Sequence, residues 1–151
     1  MHTPARTMSG HQNLPSTVYG IRVNHFAPHL QARVEHVMAV SLAVADGDRV
    51  AVEVVDGTDV LCFFVEEWKV RSIVTGLAAL GMISEPVDLS HPILLGRSCG
   101  PVFDAVLARY RGLVESFRRQ HLTVNDVLDK IGAYGIGSLD AVDREVLGVG
   151  R

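Results

Sequence analysis

Apolar positions recur with two periods along this chain, and the switches between them mark its elements. Residues 17–25 place Val18, Ile21 and Val23 against Arg22 and Asn24, the pattern of a half-buried strand. Pro28 suits the first turn of a helix. Leu30, Val34, Val37, Ser41 and Leu42 then follow at helical spacing until Asp46-Gly47 stops the run, although residues 37–44 taken alone also fit a strand. Residues 49–55 and 60–65, rich in Val and Phe, flank Asp56-Gly57-Thr58-Asp59 and predict a β-hairpin with a Gly-containing turn. Both faces of 60–65 are apolar, so this strand is expected at the centre of a sheet covered on both sides. A helix over 67–80 carries the stripe Val70, Ile73, Leu77 and Leu80, and Gly81 ends it. Residues 82–95, broken by Pro86 and Pro92, have room for one edge strand.

The resulting order is strand, helix, strand, strand, helix, strand. That is the split βαβ order of a small ferredoxin-like α+β sandwich, a fold that hosts many functions. After Gly100 the pattern becomes helical. Pro101 opens a long helix reaching about Arg119, striped by Val102, Val106, Leu113 and Phe117 and widened by Phe103, Leu107, Tyr110 and Val114. So broad an apolar face implies contact on more than one side. Two short helices follow, forming an αα-corner. The expected organisation is a flexible polar arm (1–16), an α+β domain (17–96), the long helix (97–121) and a two-helix docking tail (122–151).

Composition narrows the function. The chain has 151 residues, 48% apolar and 21% charged, with a net charge of −3. One compact domain with a short appendage fits that length. No global field draws the chain to nucleic acid or an anionic membrane. Lys69 and Lys130 are the only lysines, and the arginine skew is that of a GC-rich bacterial genome. The first residues lack the apolar core of a signal peptide, and no stretch approaches the ~20 apolar residues of a membrane span. The expectation is a cytoplasmic, soluble chain. Cys62 and Cys99 lack CxxC spacing, so neither a disulfide framework nor a zinc knuckle is expected.

Candidate chemistry is sparse. Cys99 precedes a helix and follows Arg97, a setting that can favour thiolate, and His91 is the base it would use. The competing reading is an ordinary loop cysteine; Cys62 reads as a small buried hydrophobe. His25, His29 and His36 surround Arg33, whose charge opposes a cation, so no metal is expected. Trp68 falls off its helix stripe and is read either as an exposed partner anchor or as partly buried core. Arg118 and Arg119 form the densest basic spot, suited to an acidic partner or a lipid headgroup. Their place near a helix C-terminus is favourable without any ligand. There is no P-loop, G-x-S-x-G elbow, H-E-x-x-H or dinucleotide loop, and no cofactor is expected.

The tail is the most punctuated stretch. Gly135-Ile136-Gly137 with Ala141 has the spacing of a helix-hairpin-helix, whose backbone N–H groups hold a DNA phosphate. Asp126, Asp129, Asp140, Asp143 and Glu145 against Lys130 and Arg144 oppose that use. In the plainer reading Val124, Val127, Leu128 and Ile131 form one stripe. Gly135 ends the first helix, Ser138 caps the second, and Leu139, Val142, Val146 and Leu147 form its stripe. Val127-Leu128-Asp129-Lys130-Ile131, Gly135, Ser138-Leu139, Asp143-Arg144 and Leu147 together resemble a short tail that follows the membrane domain of some bacterial rhomboid-type intramembrane proteases. The resemblance is confined to residues 124–147. It carries no catalysis, because the rhomboid serine and histidine lie in membrane helices. It implies a portable docking module in a protein working beside a membrane. Val127, Ile131, Val142 and Val146 are expected to be buried, against the helix opened by Pro101 or against a partner, and Val127, Ile131 and Leu139 are the candidate partner contacts.

The sequence therefore reads as a non-catalytic interaction protein or accessory subunit of a larger bacterial complex. Its partner is expected to be a protein, and a homo-oligomer or peripheral contact with a membrane complex is compatible with it. The alternatives are a small-molecule sensor or cysteine-dependent enzyme and, more weakly, a nucleic-acid binder.

Overall fold

The computed structural model describes residues 13–23, 38, 48–55, 58–82 and 84–148. Among these, four strands form one sheet: β1 (Val18–Val23), β2 (Arg49–Val55), β3 (Thr58–Phe64) and β4 (Val87–Asp88). Their order is β2-β3-β1-β4, with every neighbouring pair antiparallel. Six helices accompany them: α1 (Glu67–Ala79), α2 (Ser90–Leu94), α3 (Pro101–Arg109), α4 (Arg111–His121), α5 (Val124–Tyr134) and α6 (Ala141–Leu147). The class is mixed α+β. The helix expected over 28–45 and the His25, His29, His36 cluster lie outside the described residues. Met38, within that stretch, is helical and buried against the α1 side of the sheet.

The two-residue period of β3 explains the layering. Val60, Cys62 and Phe64 point to one face, and Leu61 and Phe63 to the other, where Val65 just beyond the strand joins them; all six are buried. The first face packs with Val18, Ala51, Phe103, Val106 and Phe117 beneath α3 and α4. The second packs with Ile21, Val23, Val70, Ile73 and Leu77 beneath α1. The central, doubly covered strand is therefore where the apolar run placed it. Its hairpin partner pairs as far as Val55 opposite Thr58, so β3 begins two residues earlier than the turn composition suggested. Residues 56–57 make the connection and lie outside the described residues. β4 is short for a chemical reason. The register pairs Gly20 with Val87, so the next position, opposite Ile21, falls to Pro86, which has no N–H for the ladder.

Gly20 is required by contact. A Cβ there would stand 2.7 Å from Cζ of Phe103 and 2.8 Å from Cδ1 of Leu89. α3 thus rests directly on the β1 backbone. Gly20→Ala should lose ~1–3 kcal/mol through overpacking. A thermal melt unchanged by this substitution would show that α3 does not sit on β1.

The long helix expected from Pro101 is two helices. The chain breaks at Tyr110, with φ −122° and ψ 41°. The Tyr110 hydroxyl lies 3.4 Å from N of Val52 and donates to the Val52 carbonyl at 3.2 Å, on the edge strand. The break lets α3 lie across β2 and β3 while α4 turns toward α2 and α6. Gly112, a weak helix former in the first turn of α4, was the local signal. The broad apolar face is thus consumed within the chain. The end of the expected arm is also held. Leu14 and Pro15 are buried, the Leu14 N–H donates to Oε1 of Gln120 at 2.7 Å, and Nε2 of His121 lies 2.7 Å from the Leu14 carbonyl. Residues 1–12 lie outside the described residues.

Candidate interaction surface

The tail is two capped helices around a 3-10 turn, Ile136–Ser138. Thr123 and Asp126 form a reciprocal capping box at the start of α5, and Asp140 and Asp143 form another at the start of α6. Gly135 ends α5, with φ 86° and ψ 161°, a backbone region essentially reserved for glycine. Ser138 is not the cap expected of it. Its hydroxyl donates to the Gly135 carbonyl at 2.6 Å, inside the turn. The cap falls to Asp140, two residues on, because only there can the side chain reach the N–H of Asp143, at 3.0 Å. Asp140→Ala should therefore lose ~0.5–2 kcal/mol as a cap. Ser138→Ala, at an exposed turn, should lose less. Urea melts of the two variants would reverse this order if Ser138 were the working cap.

Arg118, read as half of a basic spot suited to an acidic partner or lipid headgroup, is inside. Its Nε donates to the Leu94 carbonyl at 3.0 Å, Nη1 to Oδ2 of Asp140 at 2.8 Å and Nη2 to Oδ1 of Asp143 at 2.9 Å. From the other side, Nζ of Lys130 donates to Oδ2 of Asp143 at 2.7 Å. Arg118, Lys130 and Asp143 are all at most 5% exposed. Burial raises the Asp140 pKa, but the Asp143 backbone N–H and the Arg118 guanidinium outweigh it and hold that carboxyl below the ordinary range. One buried carboxylate thus ties α4, α5 and α6 together. Arg119, beside it, is exposed. Its contacts are with Glu145 at 3.1 and 3.2 Å and with Glu115 at 3.5 Å. The densest basic spot of the sequence is spent on carboxylates of this same chain.

The apolar residues divide in the same way. Val127 is fully buried with Leu122 and Val142, and Ile131 and Leu139 pack partly against them. Of the two expected covers for Val127 and Ile131, the chain's own helices or a partner, the first is found, and the candidate contact Leu139 packs with them. The other flank of α5 is exposed at Val124 (48%) and Leu128 (52%); Tyr134 (48%), stacked by the Arg97 guanidinium, and Ile136 (75%) in the following turn are exposed too. Val124 and Leu128 are four residues apart and share a helix face. Trp68 is exposed, off the buried stripe of α1, with the Lys69 ammonium 5.7 Å from its ring. Lys69 itself is buried in an ion pair with Asp48. Both lysines of the chain are thus held inside by carboxylates. The readable signal was helical register: Lys130 falls three residues from Val127, on the inner side of its helix.

The thiol does not assemble into a nucleophilic site. Cys99 is half-buried; burial and then the Asp104 carboxylate push its pKa up to about 11. Asp104 accepts the Cys99 N–H at 2.8 Å and a bond from the Ser98 hydroxyl. His91 is exposed on α2, and among the described residues no hydrogen bond joins it to Cys99. Cys62, in β3, is buried on the α3 side of the sheet, its thiol pushed up to about 12 by burial and then by Cys99. Alkylation of Cys99 at neutral pH should be slower than that of free cysteine and should accelerate as pH rises toward 11, where thiolate forms. A maleimide rate equal to that of free cysteine at pH 7 would contradict this. Among the described residues no group of His, Cys, Asp and Glu is arranged to hold a metal, and no helix is long and apolar enough to cross a membrane. Comparison with protein-family models, curated proteins and solved structures found no match to this chain.

Proposed function

We propose that this chain is a non-catalytic protein–protein interaction module, an accessory subunit of a larger bacterial complex working in the cytoplasm or at the surface of a membrane complex. The carrying observation is the set of exposed apolar side chains Val124, Leu128 and Ile136 on a helical pair whose inner side is fixed by buried charge. Residues on a rigid, capped frame lose little entropy on docking, which favours recognition by such a set. The resemblance of residues 124–147 to the tail of rhomboid-type proteases supports the same reading, with the contacting residues moved to the outer flank. The body of the chain fits the ferredoxin-like sandwich: the β2-β3-β1-β4 order and antiparallel directions agree with the split βαβ arrangement, and the C-terminal helices cover its second face.

The test is affinity capture from native extract with the full chain and with Leu128→Glu/Ile136→Glu. The wild type should retain a stoichiometric partner and the double variant should lose it, with an unchanged melting temperature because both positions are exposed. Retention by the variant, or a wild type that elutes as a lone monomer, would sink the proposal.

A further inference from the structure

A hollow of about 260 Å³ lies between the loop after α2 and the outer sides of α3 and α4. Ile93, Leu107 and Val114 supply its apolar surface, and Arg97, Arg111 and Asp104 its charge. The Asp104 carboxylate is already engaged by the Ser98 hydroxyl and the Cys99 N–H. Those neutral donors leave the Asp104 charge in place, so the hollow carries two cations against one anion; among the described residues neither Arg97 nor Arg111 forms an ion pair, whereas Arg109, Arg118 and Arg119 all do. Arg97 is nonetheless held in place, because its guanidinium carbon stacks 3.7 Å from the centre of the Tyr134 ring. An apolar floor beside two cations that outnumber the one carboxylate, one of the cations preorganised, is a place where an anion with a short apolar body gains on both counts. The volume is below the ~300–1,000 Å³ of pockets for drug-sized molecules.

From this juxtaposition we infer that the hollow is a binding site for a small monocarboxylate bearing a short aliphatic chain. Its carboxylate lies between Arg97 and Arg111, and its chain rests on Ile93, Leu107 and Val114. The planar fork of Arg111 matches a carboxylate in two parallel hydrogen bonds. Tyr134, which holds Arg97, borders the exposed residues of the tail as well, but the inference does not rest on the interaction reading.

Titration of the isotope-labelled full chain with sodium hexanoate, followed by amide chemical shifts, tests it. Saturable shifts are expected at residues 96–108 and 111–114. Arg111→Gln, an exposed substitution that leaves the rest of the amide spectrum in place, should weaken hexanoate by about tenfold or more, the loss of a charge-assisted pair. Hexan-1-ol and inorganic phosphate should each bind much more weakly, one lacking the charge and the other the chain. The inference is overturned if hexanoate produces no saturable shifts or if Arg111→Gln binds it unchanged. Hexan-1-ol binding equally well would remove the role of charge, and phosphate binding equally well would remove that of the apolar floor; either result overturns the assigned ligand class.

Discussion

Asp143→Ala is expected to cost ~3–5 kcal/mol of folding free energy, because it strands two buried cations. Asp143 has no exposed surface and accepts from Arg118 at 2.9 Å, from Lys130 at 2.7 Å and from the Asp140 N–H at 2.9 Å. Without it, Lys130 keeps a buried ammonium with no acceptor, and Arg118 retains only Asp140 and the Leu94 carbonyl. The expected loss concerns the uncompensated charges, not the worth of the pair. Replacing the set together, Arg118→Met/Lys130→Met/Asp143→Leu, should therefore cost less than the single change, since apolar side chains of similar volume often substitute for a buried ionic cluster without loss. Urea unfolding of the two variants decides it. A single-variant cost below ~1 kcal/mol would mean that water reaches the cluster. Asp140 adds a pH term of definite sign. Its folded pKa lies below the ordinary 3.8, so its contribution is full above that value and is lost as pH falls through the depressed one.

That network was the part of the molecule least open to reading from sequence. Periodicity located β1, the β2–β3 hairpin, α1 and both tail helices, because each carries its own apolar repeat. It also marked β3 as central, since no edge strand keeps six successive buried residues. What failed depends on contacts distant in sequence. The break at Tyr110 follows from a hydroxyl reaching Val52, 58 residues away. Arg118 looked like one of a basic pair, and its two carboxylates lie 22 and 25 residues further on. Ser138 and Asp140 are both good caps by type, and only the turn geometry chooses between them. For the candidate surface, the stripe of α5 was legible as a whole, but which flank its own domain covers was not: Val127 and Leu128 are neighbours in sequence, and one is fully buried while the other is half exposed.

Phe117→Ala should cost a comparable ~3–5 kcal/mol, the range for emptying a buried aromatic site. Phe117 is fully buried. It meets Phe64 of the central strand edge-on, with ring centroids 5.7 Å apart, and its own helix neighbour His121 at 5.1 Å. Next to it on α4 is Arg118, which grips the tail. One helix thus presents an aromatic ring to the sheet and, one residue on, a cation to α6 and its cap. Leu94 packs against both the sheet-side core and the tail core, so no apolar gap separates the two. The tail should then unfold with the domain. Phe117→Ala is expected to shift a single urea transition, read alike by the Trp68 emission and by far-ultraviolet dichroism, which is dominated by the helices. Phe117→Leu, which fills more of the site, should cost less. If Phe117→Ala instead separates the two signals, with helical dichroism surviving beyond the Trp68 transition, the tail is an independently stable unit and α4 does not couple it to the sheet.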